Sequence, residues 1–508
     1  MRSVMNKLYQ IIYISNPETD LLKLRNTFTV SLSIVAVSSI ALLLIESNRL
    51  YNQQLITKDL FLYLKISFIA LLIMSILTVF LILNSVLREY YRFKSLIDEE
   101  TPFLILLAST SPYSGYEIEH LIRKISFDKS NYVFGGYRRI AYKIINLAQY
   151  TSIAESMKMI SSLIPVKKFS KLVKDYLYNK VHGSQREYLS LLSEEMIREL
   201  NNSVKRESSL KTNIQAISLV IMTLTPIIIS SISRIQGSAL PLETDLFIIL
   251  SSVFLLAITP RNPLVLRLVN KERILYLRDG IVAIITVITI FSLLVRHYMI
   301  LKLENIVYNS IDFVTYLIIT NFSLISVYTL SNTLILMIII GLLGTHQLFE
   351  YIYSLNELSK AKEILIQSLS HLRIFKELGG FDIGRYIDPS KKPRSWLLNY
   401  IIFSINYMKD IGVVIEELYE KFVDRTLEIL SIYKNYIFQS ILYVIILLLQ
   451  PYIFTRTEYM LQNVLGAQEL FLISTIMSSM ITSKIIFGFP YNGLVISSTI
   501  LLYNSLMR

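Results

Sequence analysis

Apolar and polar residues alternate along this chain in long blocks. Charge-poor runs occupy Thr27–Ile45, Ile66–Leu87, Ile214–Ile232, Leu246–Thr259, Ile281–Val295, Phe313–Leu343, Ile437–Thr455, Leu470–Phe487 and Tyr491–Met507. Between them lie stretches dense in Lys, Arg, Asp and Glu. A helix needs about 20 mostly apolar residues to cross hydrocarbon, so the blocks predict about nine membrane spans. Leu246–Thr259 is short and must recruit Leu240–Leu242 or the residues after Pro260. Phe313–Leu343 is long enough for one tilted helix with an extension, and too short for two.

The two long charged segments read as helical. In Val166–Leu177 the apolar residues Phe169, Leu172, Val173 and Tyr176 recur at helical spacing, while Lys167, Lys171 and Lys174 line another face. In Gly412–Leu430 an apolar stripe runs through Ile415, Leu418, Tyr419, Phe422, Thr426 and Ile429. No useful length alternates with period two. The expected fold class is all-α: a polytopic membrane protein with two helical-bundle domains. Its expected organisation is two spans in 1–87, a first polar domain in 88–213 and four spans in 214–343. A second polar domain follows in 344–435, and three spans in 436–508.

Composition agrees with this division. Hydrophobic residues make up 53% of the 508 residues and charged residues 17%, well under the roughly 25% of an average soluble protein. The N-terminal stretch has no obvious cleavage site after its apolar run and reads as a retained first helix. The net charge of +12 could point to nucleic acid, but the basic residues cluster beside the spans. With both polar domains inside, the inward segments include Arg2, Lys7, Lys23, Arg25 and the Pro260–Gly280 loop with Arg261, Arg267, Lys271, Arg273 and Arg278. The outward segments hold Arg49, Lys58, Arg234, Arg296, Lys302 and Arg456 against eight acids. That asymmetry is the positive-inside pattern, and it makes a nucleic-acid partner unnecessary. There is no cysteine, which excludes disulfides and thiolate metal sites, and the five histidines are too scattered for a metal-binding helix face. No metal or other cofactor is expected.

A weak internal repeat links the two polar domains. One copy begins at Gly183 and ends at Pro226, the other begins at Gly412 and ends at Pro451. The intervals, 226 − 183 = 43 and 451 − 412 = 39, differ by about one helical turn. Each copy runs as an amphipathic helix and then becomes a span.

Thr101-Pro102-Phe103-Leu104-Ile105-Leu106-Leu107-Ala108, followed by Ser114-Gly115 and Tyr116–Ile125, resembles the opening of a type II secretion F domain. Gly183–Leu200 is similar to that domain's closing helix, which runs straight into a span. Glu350–Pro451 resembles a diverged second copy without the Pro-Phe opening. Two such domains separated by four spans resemble the archaeal branch of the family, the platform proteins of type IV pili and of the archaellum. The resemblance implies a non-enzymatic platform in the cell membrane. Its expected partners are a cytoplasmic hexameric secretion-type ATPase, pilin subunits in the lipid bilayer and, beneath a symmetric motor, a second copy of itself as a homodimer.

The candidate functional residues follow from this. Arg138, Arg139, Lys167, Lys168, Lys171 and Lys174 form a basic face for docking the ATPase, or else a solvated face or one attracted to anionic lipid. Glu416, Glu417, Glu420 and Asp424 give the second domain the opposite character. Pro226 and Pro451 are candidate hinges, or kinks tolerated within a bundle. No phosphate-cradling Gly-x-x-x-x-Gly-Lys-Ser/Thr loop exists, and the Gly379–Gly384 cluster reads as a turn. Lys65 and Lys484 lie near span ends, where they can snorkel. No Asp or Glu falls inside any span, which disfavours the rival reading of a transporter. A second rival, an enzyme on lipid-linked substrates, would need more acids than Glu272 and Asp279 beside the arginines of the 260–280 loop.

Overall fold

The computed structural model describes residues 91–127, 133–164, 166–237, 240–260, 262, 264–266, 273–308, 313–387, 393–412, 416–460, 464 and 466–507. Among these residues the fold is all-helical, without a β-strand. Contacts divide the chain into two units, Met1–Ser193 and Glu194–Arg508.

In the first unit, helix α1 covers residues 91–108, followed by α2 (Ile118–Phe127), α3 (Gly135–Leu147), α4 (Ile153–Leu163) and α5 (Lys167–Val181). The stripe predicted for α5 is its buried face: Phe169, Leu172, Val173 and Tyr176 are all under 7% exposed. They line one core with Ile122, Ile125, Tyr137, Ile140 and Ile144. A buried carboxylate organises this core. Glu100 on α1 accepts hydrogen bonds from the backbone N–H of Gly136 and Tyr137, at 3.0–3.1 Å, in the unsatisfied first turn of α3. Gly136 leaves room for it, since a Cβ there would stand 3.1 Å from both Glu100 Oε2 and Ile97 Cγ1. Beside it, the hydroxyls of Thr101 and Tyr137 are 2.8 Å apart.

Helix α6 (Gln185–Leu219) continues through a π-turn at Val220–Leu224 into α7 (Thr225–Gln236). The second unit then contains α8 (Leu242–Ile258), α9 (Arg273–Tyr308) and α10 (Phe313–Phe375). It closes with α11 (Trp396–Asp410), α12 (Glu416–Met460), α13 (Ala467–Phe487) and α14 (Gly493–Met507).

Among the described residues, three helical stretches are long and apolar enough to cross a membrane: Gln185–Gln236, Leu277–Leu294 and Ala467–Phe487. This is fewer than the nine expected. Thr27–Ile45 and Ile66–Leu87 lie outside the described residues. Leu246–Thr259 does recruit residues on its N-terminal side, but α8 still reaches only 17 residues, and the apolar part of α14 is shorter. Phe313–Leu343 is the first part of a single 63-residue helix, so it counts once.

The arrangement of polarity is that of a bundle in lipid. Leu250, Phe254, Ile284 and Phe291 are more than 60% exposed, whereas Ser474, Thr475, Ser479 and Thr482 are fully buried. Hydrocarbon solvates the apolar side chains as well as a core would, so hydroxyls turn inward to find partners. Helix α13 is the centre of the bundle, with 89% of its apolar window buried against 28% for that of α9. Helices α10 and α14 cross at Gly344 and Gly493. Gly493 N donates to Gln347 Oε1 at 2.8 Å, and Gln347 Nε2 reaches Asp279 at 2.8 Å.

Arg278 is one of the five basic residues counted in the Pro260–Gly280 loop. This residue belongs to α9, is 7% exposed, and pairs with Glu350 and Asp279 at 2.8 and 2.9 Å. Burial without these carboxylates would leave an uncompensated charge. Lys484 stands in the last turn of α13 and is half-buried. Its ammonium bonds the Leu256 carbonyl, one of the orphan acceptors in the last turn of α8.

Candidate functional site

The repeat read from the sequence has a structural counterpart in each unit. Helix α5 ends in Tyr178-Asn179-Lys180-Val181-His182-Gly183, and α11 ends in Tyr407-Met408-Lys409-Asp410-Ile411-Gly412. Gly183 and Gly412 both take the left-handed conformation, with φ of 72° and 62°. Each donates its N–H to the carbonyl of the lysine three residues earlier, and the preceding residue bonds the tyrosine carbonyl. Glycine fits this helix-ending turn because it lacks the Cβ that penalises positive φ. After each turn the chain enters a very long helix, 52 residues over Gln185–Gln236 and 45 in α12.

On the basic face of the first unit, Lys168, Lys171 and Lys174 are exposed. The side chain of Lys167 lies outside the described residues. Arg138 and Arg139 are half-buried, and the Arg139 guanidinium lies 5.9 Å over the Phe93 ring. Burial, reinforced by Arg139, lowers the neighbouring Lys143 to about 8. Burial raises Asp98 despite the opposing charges of Lys168 and Lys94. Helix α1 is therefore the shared support, touched by Arg139 at Phe93 and influenced by Lys168 at Asp98.

The acidic face of the second unit is not a bare row of charge. Lys376 donates to Glu416 at 2.8 Å, and Arg373 pairs with Glu416 at 3.5 Å and with Glu420 at 2.5 Å. The Lys376 hydrogen bond and the two cations hold Glu416 below its ordinary value. Glu417 and Asp424 point to solvent. Such exposed pairs add little to stability, so their main effect is to remove negative potential from half the face.

The two candidate hinges meet through hydrogen bonds. Pro226 has no N–H for the carbonyl four residues earlier, that of Met222, and the π-turn lies directly before it. The freed Met222 carbonyl accepts from Gln450 Nε2 at 3.1 Å and from the Ser474 hydroxyl. Gln450 immediately precedes Pro451. The spans that close the two repeats are thereby tied to each other and to the central α13. Further along, Gln215 Nε2 reaches the Thr482 hydroxyl at 3.2 Å, and the buried Lys211 ammonium bonds Asn262 at 2.7 Å and the Ile485 carbonyl at 3.0 Å. Hydrogen bonds between membrane helices are worth about 0.6–2 kcal/mol each. Gln450→Leu is expected to lower resistance of the purified protein to SDS unfolding by about 1 kcal/mol. Pro226→Ala in the same background should restore part of the loss, because its new N–H can give the Met222 carbonyl the donor that Gln450 supplied.

Sequence reading missed a cluster at another end of the bundle. Asp245 and His297, both 0% exposed, form an ion pair, and Glu469 is 2% exposed nearby. Glu458 accepts from the Tyr503 hydroxyl. The available signal was position: Asp245 and Glu469 each stand one residue before a predicted span, and His297 two residues after one. Among the described residues no group of His and carboxylate side chains could hold a metal ion. Comparison with family models, with curated proteins and with solved structures finds no match for this chain.

Proposed function

We propose that the chain is a cell-membrane platform for assembly of an archaeal type IV pilus. It couples a cytoplasmic hexameric secretion-type ATPase to the insertion of pilin subunits into the filament. The reading rests on the resemblance to type II secretion F domains. The observation that carries it furthest is the paired lever geometry. In each repeat a glycine turn releases a long helix that passes without a break from a charged segment into an apolar one. A rigid helix is a direct means of transmitting displacement from a docked motor into the bilayer. The Met222–Gln450–Ser474 node joins the two lever ends. Transfer of work requires that the platform bind the two ATPase states differently, which places the decisive contacts on the polar domains.

Both polar domains lie on the cytoplasmic side in this reading, and the basic face of α5 is the docking surface. Half of the opposing acidic face is already neutralised by Arg373 and Lys376, which favours α5 as the primary contact. The archaellum platform is the same machine with a different filament, and neighbouring motility genes would select it. A transporter is disfavoured because the buried acids sit beside span ends in pairs with His297 and Tyr503, not along a path through the apolar windows.

Charge reversal at Lys167, Lys171 and Lys174 is expected to abolish low-salt pull-down of the co-encoded ATPase and to stop filament formation. Retained binding at low salt by a correctly folded variant would remove the docking role of this face.

A further inference from the structure

Leu240 and Asp245 flank the start of α8, His297 lies in α9, and Gly466 precedes α13. These elements converge on one imidazole. His297 Nδ1 meets Asp245 Oδ2, while Nε2 stands 3.0 Å from the Leu240 carbonyl oxygen. Both partners are acceptors. A neutral imidazole has one N–H and can satisfy only one of them, whereas an imidazolium has two and satisfies both. The ring, Asp245 and Leu240 are all 0% exposed, so no bulk water stands in for a missing bond.

We infer that His297 is a proton-operated clasp: protonated, it fastens the start of α8 to α9, and the turn before α13 packs against the closed ring; deprotonated, it releases the start of α8 and loosens that packing. Asp245 needs the imidazolium, because its Oδ1 accepts no other hydrogen bond and a buried carboxylate without a counter-charge is strongly destabilising. The Gly466 turn closes the other side of the ring. Its backbone has φ of 86°, and a Cβ there would collide with the imidazole. Among the described residues, the further charge that acts on the ring is acidic. Glu469 faces the ring from α13, and beyond it Glu458 of α12 is bonded to Tyr503 of α14. This acidic surrounding retains the proton on His297 and makes its loss the event that loosens the cluster.

The sign follows from linkage. Stability that depends on a proton bound in the closed form is present at low pH and is lost as pH rises through the titration of the closed form. A histidine whose charge changes near neutrality is suited to this role. The clasp does not depend on the platform reading, because neither ATPase nor filament takes part in its test.

The test is hydrogen–deuterium exchange on the full-length protein in lipid nanodiscs between about pH 5 and 9, corrected for intrinsic exchange. Peptides covering Leu240–Phe247 and Gly466–Phe471 should lose protection on the order of tenfold as pH rises, the effect of one unit of proton affinity. In His297→Gln the same peptides should be loose at every pH. In Asp245→Asn the transition should move to lower pH, because the counter-charge that holds the proton is gone. Native protection that does not change with pH overturns the clasp, as does a pH response that survives in His297→Gln. Where His297→Gln fails to fold, Asp245→Asn decides, and an unmoved transition overturns the proposal.

Discussion

Gly344→Val or Gly493→Val is expected to abolish the crossing of α10 and α14 and to destabilise the bundle by about 3 kcal/mol or more. A Cβ on Gly344 would overlap the Leu494 backbone nitrogen, and one on Gly493 would overlap the Ile340 carbonyl. Both obstacles are main chain, so no rotamer change relieves them. In lipid, close backbone approach is a principal source of helix–helix attraction, and separating the helices forfeits it. The separation would also pull Gln347 away from Gly493 N and from Asp279. Gly341→Ala is the control. Its new Cβ would meet Ser497 Oγ at 2.9 Å, the far end of a side chain that can rotate. Unfolding of the three variants in detergent by graded SDS measures the effect. Near-native resistance in Gly344→Val would show that the helices do not cross there.

The second large effect is a pH dependence at Glu100. Burial drives its carboxyl up from 4.5 to about 8, against the pull of the Tyr137, Gly136 and Gly135 backbone N–H groups. A carboxyl whose folded value is raised stabilises the fold below its unfolded value, and that stability is lost as pH climbs through the folded one. The window is therefore from about 4.5 to about 8, and the full loss is on the order of 5 kcal/mol. Amide protection of α3 in the full-length protein should fall across this window. Glu100→Gln retains a side-chain acceptor for the α3 N–H groups and has no proton to lose. It should flatten the dependence and exceed the native protein in protection near pH 8. A native protein equally protected at both ends of the window would show that the carboxylate is fully compensated by its N–H partners.

The second unit contains a related device, in which Glu357 on α10 accepts from the backbone N–H of Arg394 at 3.0 Å and also bonds Ser395, just before α11. Each unit thus has a buried glutamate on its long or leading helix closing the start of a later helix. In both cases the acid accepts from the orphan donors of a helix N-terminus, which is why a buried carboxyl group is tolerated there. Nothing in the local sequence marks Glu100 or Glu357 as different from the half-buried Glu99 or the exposed Glu363, since all sit in charged helical stretches.

Periodicity and block polarity were sufficient for much of the architecture. The α5 stripe of Phe169, Leu172, Val173 and Tyr176 is buried, and the one-helix reading of Phe313–Leu343 agrees with α10. Gly183 and Gly412 open the two long helices from left-handed turns. These features are local: side-chain spacing fixes which face is apolar, and a missing Cβ fixes where the chain can turn. The charges were legible as letters but not as partners. Glu416 and Glu420 pair with Arg373 and Lys376 from the end of α10, and Arg278 is drawn inward by Glu350. The same holds for the prolines. Pro226 announced a break in the hydrogen-bond ladder, and only folding could decide that Gln450 and Ser474 would fill it. By itself the sequence determined which segments prefer water, which prefer an apolar surrounding, and where helices begin. Tertiary structure decided which buried polar group meets which, because such a group tolerates burial only beside a partner that chain folding brings from far along the sequence.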